Sequence, residues 1–138
     1  MVEKVTVCMN DDSQFEICGG ISVDRLNPKE LLLCAAAKCA GLTVLDIMNK
    51  EHVKPKKLEV AVSGNLSTDT LRAESVFTSF DVTYNAEART SEEHVKISRA
   101  INLGHDKYCG MVKMLRTIAP VSHEIIIVTT EPVADFSR

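Results

Sequence analysis

The segment from Asn27 to Lys50 reads NPKELLLCAAAKCAGLTVLDIMNK, and it decides the fold. Its start carries three helix-initiation signals: Asn27 as the N-cap residue, Pro28 at the first helical position and Glu30 three residues after the cap. The helix that follows is apolar on nearly every face, so other parts of the fold must cover it on all sides. Its alanines and Gly41 make it thin, which allows another backbone to approach closely. We therefore predict a long central helix that is enclosed by the rest of the protein.

Strands flank this helix on both sides in the sequence. Alternating apolar and polar residues predict a hairpin over residues 2–18, two strands over residues 58–65 and 76–88, and a β-branched strand over residues 123–130. Two helices are predicted before the last strand, and Asp106 is expected to cap the second. Strands grouped in pairs, rather than alternating with helices, predict an antiparallel α+β fold. Because one chain has few residues with which to enclose its central helix, a homodimer is expected.

Composition and charge predict one domain and argue against several classes of protein. The 138 residues, 45% of them apolar, suit one domain over residues 1–138. A net charge of −3 provides no basic field for nucleic acid, and Lys38 and Asp46 make the most apolar stretch a poor membrane span. The chain opens without the basic and apolar regions of a targeting segment. Five cysteines, an odd number without regular spacing, predict a reducing, cytoplasmic compartment in which the thiols are free.

Cysteine is the residue type to which we assign the chemistry. Cys109 is expected near the N-terminus of its helix, where the helix dipole stabilises a thiolate and lowers the thiol pKa. On that argument alone Cys109 would be the attacking thiol, since Cys39 lies in the middle of a helix. Cys8, Cys18 and Cys34 are interpreted as structural, because most intracellular cysteines are buried and inert.

Other kinds of site lack their sequence patterns. The chain has no Cys-x-x-Cys, His-x-His or His-Glu-x-x-His motif, and its four histidines are scattered along the sequence, so no metal site is predicted. No phosphate-binding loop, dinucleotide fingerprint or Gly-x-Ser-x-Gly motif occurs, and no cofactor is expected.

Two segments resemble the OsmC/Ohr family. The quoted helix, with a cysteine about ten residues after Asn-Pro, is similar to the family's first cysteine helix. The segment HDKYCGMVKMLRTIAPVSHEIIIV, residues 105–128, is similar to its second cysteine helix and closing strand. Order and spacing match from Asn27 to the last strand. The resemblance implies an intertwined homodimer in which antiparallel curled sheets wrap the long, buried cysteine helices.

The resemblance also implies an activity, that of a cysteine-dependent peroxidase acting on organic hydroperoxides in oxidative-stress defence. Cys39 matches the family's peroxidatic thiol and Cys109 its resolving thiol, which reverses the assignment from the helix dipole. The Cys39 thiolate would attack the peroxide and become a sulfenic acid. Cys109 would condense with it to a disulfide, which an external dithiol would reduce. The implied partners are a hydroperoxide, a thiol reductant and a second copy of the chain.

The groups that assist the peroxidatic thiol in the family are matched only in part. The family's arginine on an N-terminal strand has no counterpart, since the first arginine here is Arg25, in the loop before the helix. The family's carboxylate directly follows Asn-Pro, where this chain has Lys29, with Glu30 one residue later. Glu30 is therefore a candidate catalytic carboxylate as well as a capping residue. Arg25 and Lys38 are the candidate substitute cations.

Two other functions stay open on the sequence. A dimeric module of the same fold could bind an apolar ligand or a partner protein without catalysis, if the missing arginine means that peroxide chemistry was lost. A thiol redox sensor could use the same two cysteines and become oxidised rapidly without appreciable turnover.

Overall fold

The structure, a computed structural model, describes residues 1–130, and the chain from Glu131 onward lies outside the described residues. Within residues 1–130 the strands are β1 (Val2–Met9), β2 (Phe15–Ile17), β3 (Lys57–Leu66), β4 (Phe77–Ala88) and β5 (Val121–Thr129). The α-helices are α1 (Pro28–Lys50), α2 (Ser91–Leu103) and α3 (Gly110–Ile118). A short 3-10 helix precedes α1, and a π-helical turn, Gly104–Tyr108, links α2 to α3. The predicted α+β class is confirmed.

The strands form a single sheet in the order β2-β1-β3-β4-β5 across the described chain. The pairs β1–β2, β1–β3 and β3–β4 are antiparallel, whereas β5 runs parallel to β4. The expectation of wholly antiparallel sheets is therefore wrong at this edge. The reason is that α2, the π-helical turn and α3 lie between β4 and β5, and such a crossover returns the chain so that both strands point the same way.

The alternation of side chains divides the sheet into a helix-covered face and an outward face. On β4, Val82 and Tyr84 are buried, whereas Asp81 is exposed and Thr83 half-buried. Helix α1 packs against β1 and β3, and α2 packs against β4 and β5. The core therefore lies between one face of the sheet and the three helices.

Helix α1 begins and ends where the sequence predicts. The Asn27 side chain accepts a hydrogen bond from the Glu30 N–H at 2.9 Å, and the Glu30 carboxylate accepts one from the Asn27 N–H at 3.0 Å. These reciprocal bonds form the predicted capping box. The helix is long and apolar enough to cross a membrane by length and composition alone, and half of its most apolar window is buried inside the fold.

One stripe of α1 is left uncovered within a single chain. Leu31, Ala35, Lys38 and Leu42 follow one another at helical spacing and are exposed, with Leu31 at 39% and Leu42 at 40%. In a single chain, α1 is therefore not buried on all sides as predicted.

The first hairpin carries a disulfide. Cys8 in β1 and Cys18, directly after β2, are bonded, and their Cα atoms are 5.3 Å apart. The expectation that every thiol is free is wrong for this pair. The cause is the pairing of the strands, since the Cys18 N–H donates to the Thr6 carbonyl at 3.0 Å and so brings Cys18 beside Cys8.

Candidate active site: two thiols on neighbouring helices

The sulfur atoms of Cys39 and Cys109 are 3.4 Å apart, although 70 residues separate them in the sequence. Cys39 lies in the middle of α1 and is half-buried, whereas Cys109 is fully buried. Helix α3 packs directly on α1, which brings the two thiols together. The structure therefore unites the two cysteines that the sequence analysis selected.

The chain enters α3 differently from the prediction. Asp106 does not cap this helix: it lies within the π-helical turn, and Cys109 itself is the N-cap residue of α3. The Cys109 N–H donates to the Gly104 carbonyl at 2.8 Å, which closes the wide turn. This turn ends with an extended residue, so the Cys109 side chain points into the core next to α1 rather than along the surface.

Burial, together with the neighbouring Cys39, raises the pKa of the Cys109 thiol to about 11. The backbone N–H groups of Val112 and Met111 act in the opposite direction, as the helix-dipole argument expects, but their effect is the smaller one. The predicted low pKa of Cys109 is therefore wrong. The sequence signals the helix terminus, but it does not show that the sulfur is removed from water.

The two sulfur atoms differ in their surroundings. Cys109 donates its S–H to the Cys39 sulfur, and the Thr43 hydroxyl lies 3.9 Å from that sulfur. Cys109 is neutral and enclosed, whereas Cys39 is partly accessible, so an oxidant reaches Cys39 first.

The candidate assisting residues lie elsewhere in the chain. Glu30 is nine residues before Cys39 on the same helix, about 13 Å along its axis and on the opposite side of it. The Glu30 carboxylate is bonded to the Asn27 N–H in the capping box. Arg25 is exposed in the 3-10 helix before α1, and Lys38 is exposed on the uncovered stripe. Within one chain, the structure places the Glu30 carboxylate away from the thiols.

A buried polar cluster beside the thiols was not found from the sequence. The Tyr84 hydroxyl and His105 Nδ1 are 2.7 Å apart, and both side chains are almost completely buried. Burial raises the pKa of Tyr84 well above its usual range, and the nearby Cys109 raises it further. Burial, together with His123 and Arg116, lowers the pKa of His105 to about 4. The cluster is therefore held neutral at ordinary pH.

The histidines of this cluster are close in space although they are scattered in the sequence. The rings of His105 and His123 stack with their centroids 4.1 Å apart, and Asp106 is adjacent. Donor atoms of these three residues lie within 4.8 Å of one another. Stacked rings direct their in-plane lone pairs along similar directions instead of toward one point, and His105 Nδ1 is already paired with Tyr84. This arrangement fits ring packing better than metal coordination.

A groove of about 510 Å³ lies near the two thiols, although neither Cys39 nor Cys109 lines it. Its lining includes Thr43, whose hydroxyl is 3.9 Å from the Cys39 sulfur, and Tyr108, the residue directly before Cys109. Its lining residues are Thr43, Asp46, Ile47, Lys50, Glu51, Leu103 and Tyr108. A cavity of this size with apolar walls and a charged rim suits a small organic molecule.

The chain belongs to the OsmC-like protein family, whose model matches residues 21–124 and so includes both Cys39 and Cys109. Among curated sequences it is similar to Protein YhfA of Escherichia coli K12, with 24% identity over 74% of this chain and 73% of that protein. The family predicted from the two cysteine segments is thus confirmed.

Solved structures share the fold at low sequence identity. An OsmC-like protein from Mycoplasma pneumoniae superposes with a TM-score of 0.60 at 16% identity, covering 93% of this chain and 96% of the other. The organic hydroperoxide resistance protein OhrB of Bacillus subtilis gives a TM-score of 0.54 at 14% identity, covering 91% and 97%. The OsmC-like α+β fold is therefore confirmed.

Proposed function

We propose that this protein is a thiol-dependent reductase of organic hydroperoxides, with Cys39 as the nucleophile and Cys109 as the resolving thiol. The observation that supports the proposal most directly is the 3.4 Å separation of their sulfur atoms, which allows a disulfide to form with little movement. The name of the structurally similar protein OhrB, an organic hydroperoxide resistance protein, is consistent with this activity.

The reaction follows from the properties of the two thiols. The Cys39 thiolate attacks one oxygen of the O–O bond, the bond breaks, and the alkoxide takes up a proton to leave as an alcohol. Cys39 is then a sulfenic acid. The Cys109 sulfur displaces its hydroxyl group, which leaves as water, and a disulfide forms. An external dithiol donates two electrons and two protons to restore both thiols, and becomes a disulfide itself.

The groove beside the thiols provides a site for the organic part of the substrate. Ile47, Leu103 and Tyr108 offer apolar surface, whereas the exposed ion pair of Asp46 and Lys50 lies at the rim. Burial of an alkyl group against such walls contributes about 25 cal/mol per Å² of apolar area. We therefore expect alkyl and aryl hydroperoxides to be reduced faster than hydrogen peroxide.

A second copy of the chain completes the proposed enzyme. The uncovered stripe of α1, which contains Leu31, Ala35 and Leu42, is adjacent to Cys39 on the same helix. An isologous interface with the same helix of a partner would bury this exposed apolar stripe on both copies. The proposed homodimer would cover this stripe and narrow the opening to the groove.

The test is oxidation of the reduced protein by one equivalent of cumene hydroperoxide, followed by peptide mass spectrometry. We expect a disulfide-linked peptide pair containing Cys39 and Cys109. The Cys39→Ser variant should consume no peroxide above the rate of free cysteine. The Cys109→Ser variant should stop at a sulfenic acid that dimedone traps. Cys34→Ser is the matched control, since Cys34 is buried on the same helix and should be dispensable.

Three outcomes separate the proposal from its alternatives. Steady-state peroxide consumption with a dithiol reductant supports the enzyme. Rapid disulfide formation without turnover would instead support a redox sensor. If both thiols stay free while other cysteines oxidise, the peroxidase proposal is wrong, and a non-catalytic binding module becomes the better explanation.

A further inference from the structure

A second cluster of sulfur and carboxylate groups lies on the outward face of the sheet, and we call it the hairpin cluster. It consists of Cys8 in β1, Cys18 after β2 and Glu59 in β3. The Cys8 sulfur is 3.6 Å from the Glu59 carboxylate, and the donor atoms of all three residues lie within 4.8 Å of one another. All three side chains are half-buried, so small solutes can reach them.

The hairpin cluster is separate from the site of Cys39 and Cys109. Side chains alternate along β1, so that Val7 is buried toward α1 whereas Cys8 points to the opposite face. The sheet therefore stands between the two cysteine pairs. Any chemistry of the hairpin cluster is independent of the proposed peroxidase reaction.

We propose that the reduced hairpin cluster binds a thiophilic divalent cation such as Zn²⁺, and that its oxidation to the Cys8–Cys18 disulfide releases the cation. A dithiol reductant delivers two electrons and two protons to the disulfide and becomes a disulfide itself. The cation then replaces the two thiol protons and binds both thiolates together with the Glu59 carboxylate. In the reverse direction a small-molecule disulfide takes two electrons from the two thiolates and, with two protons from solvent, becomes two thiols, while the Cys8–Cys18 bond forms again and the cation is released.

The distance between the Cys8 sulfur and the Glu59 carboxylate matches one edge of a tetrahedral zinc site. Zinc binds thiolate at about 2.3 Å and carboxylate oxygen at about 2.0 Å, so the sulfur–oxygen edge of the tetrahedron is about 3.5 Å. The observed distance from the Cys8 sulfur to the Glu59 oxygen is 3.6 Å. The Cα atoms of Cys8 and Cys18 are 5.3 Å apart, which lets both sulfurs contact one ion. Two thiolates and one carboxylate leave a fourth position for water or another carboxylate.

Charge around the cluster favours a cation once the disulfide is open. In the register of the sheet, Cys8 lies opposite Glu16 of β2 on one side and Glu59 of β3 on the other. Two neighbouring carboxylates disfavour a bare thiolate at Cys8, whereas a bound dication reverses that effect. Glu16 is exposed and lies next to Cys8 in this register, so we propose it as the candidate fourth ligand.

The test uses a Cys39→Ser/Cys109→Ser protein, so that metal binding by the other thiol pair does not contribute. This protein is reduced with a phosphine, which is then removed, and titrated with Co²⁺, because thiolate-to-cobalt charge-transfer and d–d bands report tetrahedral thiolate ligation. We expect one equivalent of Co²⁺ to bind, Zn²⁺ to displace it, and diamide to expel it. Adding Cys8→Ser or Cys18→Ser should abolish the charge-transfer band.

A second variant keeps the proposal testable if loss of a hairpin cysteine disturbs the fold. Glu59→Gln leaves both thiols in place and should weaken Co²⁺ binding at least about tenfold. Adding Cys34→Ser is the matched control and should change nothing. The proposal is overturned if the reduced protein shows no charge-transfer band, or if the band persists undiminished without Cys8.

Discussion

At the scale of single residues, Glu30 has two possible roles that predict different results. Its carboxylate closes the capping box on Asn27 and lies about 13 Å along α1 from Cys39. We expect Glu30→Gln, which keeps the capping bond, to leave the rate of peroxide reduction within about twofold of wild type. Glu30→Ala should lower the free energy of unfolding by roughly 0.5–1 kcal/mol, measured by urea denaturation. A loss of 100-fold or more in both variants would instead identify a catalytic carboxylate.

His105 is a second residue whose environment predicts a measurable effect. Its pKa falls from an ordinary value of 6.5 to about 4, because it is buried beside His123 and Arg116. Between these two pH values the unfolded chain binds a proton that the folded chain does not, so stability decreases as the pH falls through this window. The loss is on the order of 2–3 kcal/mol by pH about 4.

The measurement is the free energy of unfolding at pH 7 and pH 5 for wild type and His105→Gln. We expect the variant to show a smaller difference between the two pH values, even if it is less stable at both. His94→Gln serves as the control, because His94 is likewise bonded to a hydroxyl, that of Thr129, but is only partly buried. An unchanged pH dependence in His105→Gln would show that His105 does not titrate as its surroundings indicate.

At the scale of elements, the close approach of β2 to α1 depends on Gly41. A Cβ atom at this position would lie 2.8 Å from the aromatic ring of Phe15, closer than carbon atoms pack. Gly110, at the start of α3, has no neighbour within 4 Å of the same point. Alanine favours helices by about 1 kcal/mol over glycine at an internal position. Overpacking of a core costs about 1–3 kcal/mol.

We therefore expect Gly41→Ala to be less stable than Gly110→Ala by about 1–3 kcal/mol, with Gly110→Ala equal to wild type or slightly more stable. Chemical denaturation of the three proteins checks this. Adding Phe15→Leu to Gly41→Ala should recover part of the loss, since a smaller side chain leaves room for the new methyl group. Equal stability of the two alanine variants would mean that the hairpin shifts to accommodate the new methyl group without lowering the free energy of unfolding.

The elements also show which features of the fold a single sequence reveals. The capping box at Asn27 and Glu30 fixed the start of α1, because all of its signals lie within four residues. The π-helical turn was not predicted, since one additional residue in a turn hardly changes the apolar pattern. The parallel pairing of β5 and the Cys8–Cys18 contact were also missed, because strand order and register are set by contacts between distant segments.

At the scale of the whole molecule, the sites also divide into those that the sequence indicates and those that only the folded structure brings together. The pairing of Cys39 with Cys109 was predicted because two segments together resemble a known family, not because any local pattern joins residues 70 apart. No such resemblance pointed to Tyr84 and His105, which come from β4 and from the π-helical turn. The hairpin cluster was not predicted from metal-binding motifs, because its three donor residues come from β1, from the position after β2 and from β3 instead of from one short motif.

The proposed dimer gives the prediction that concerns the molecule as a whole. Leu42 on α1 and Leu71, between β3 and β4, are almost equally exposed, at 40% and 41%, but only Leu42 belongs to the uncovered stripe. A glutamate at an interface loses the burial of a leucine, about 1.5–3 kcal/mol, and places a charge among apolar groups. Because a twofold interface contains each residue twice, Leu42→Glu should convert the dimer to monomers in sedimentation at micromolar concentration, whereas Leu71→Glu should remain dimeric. A monomeric wild type, or two dimeric variants, would show that the stripe is not the contact surface, and the opening of the groove beside Cys39 would then face solvent directly.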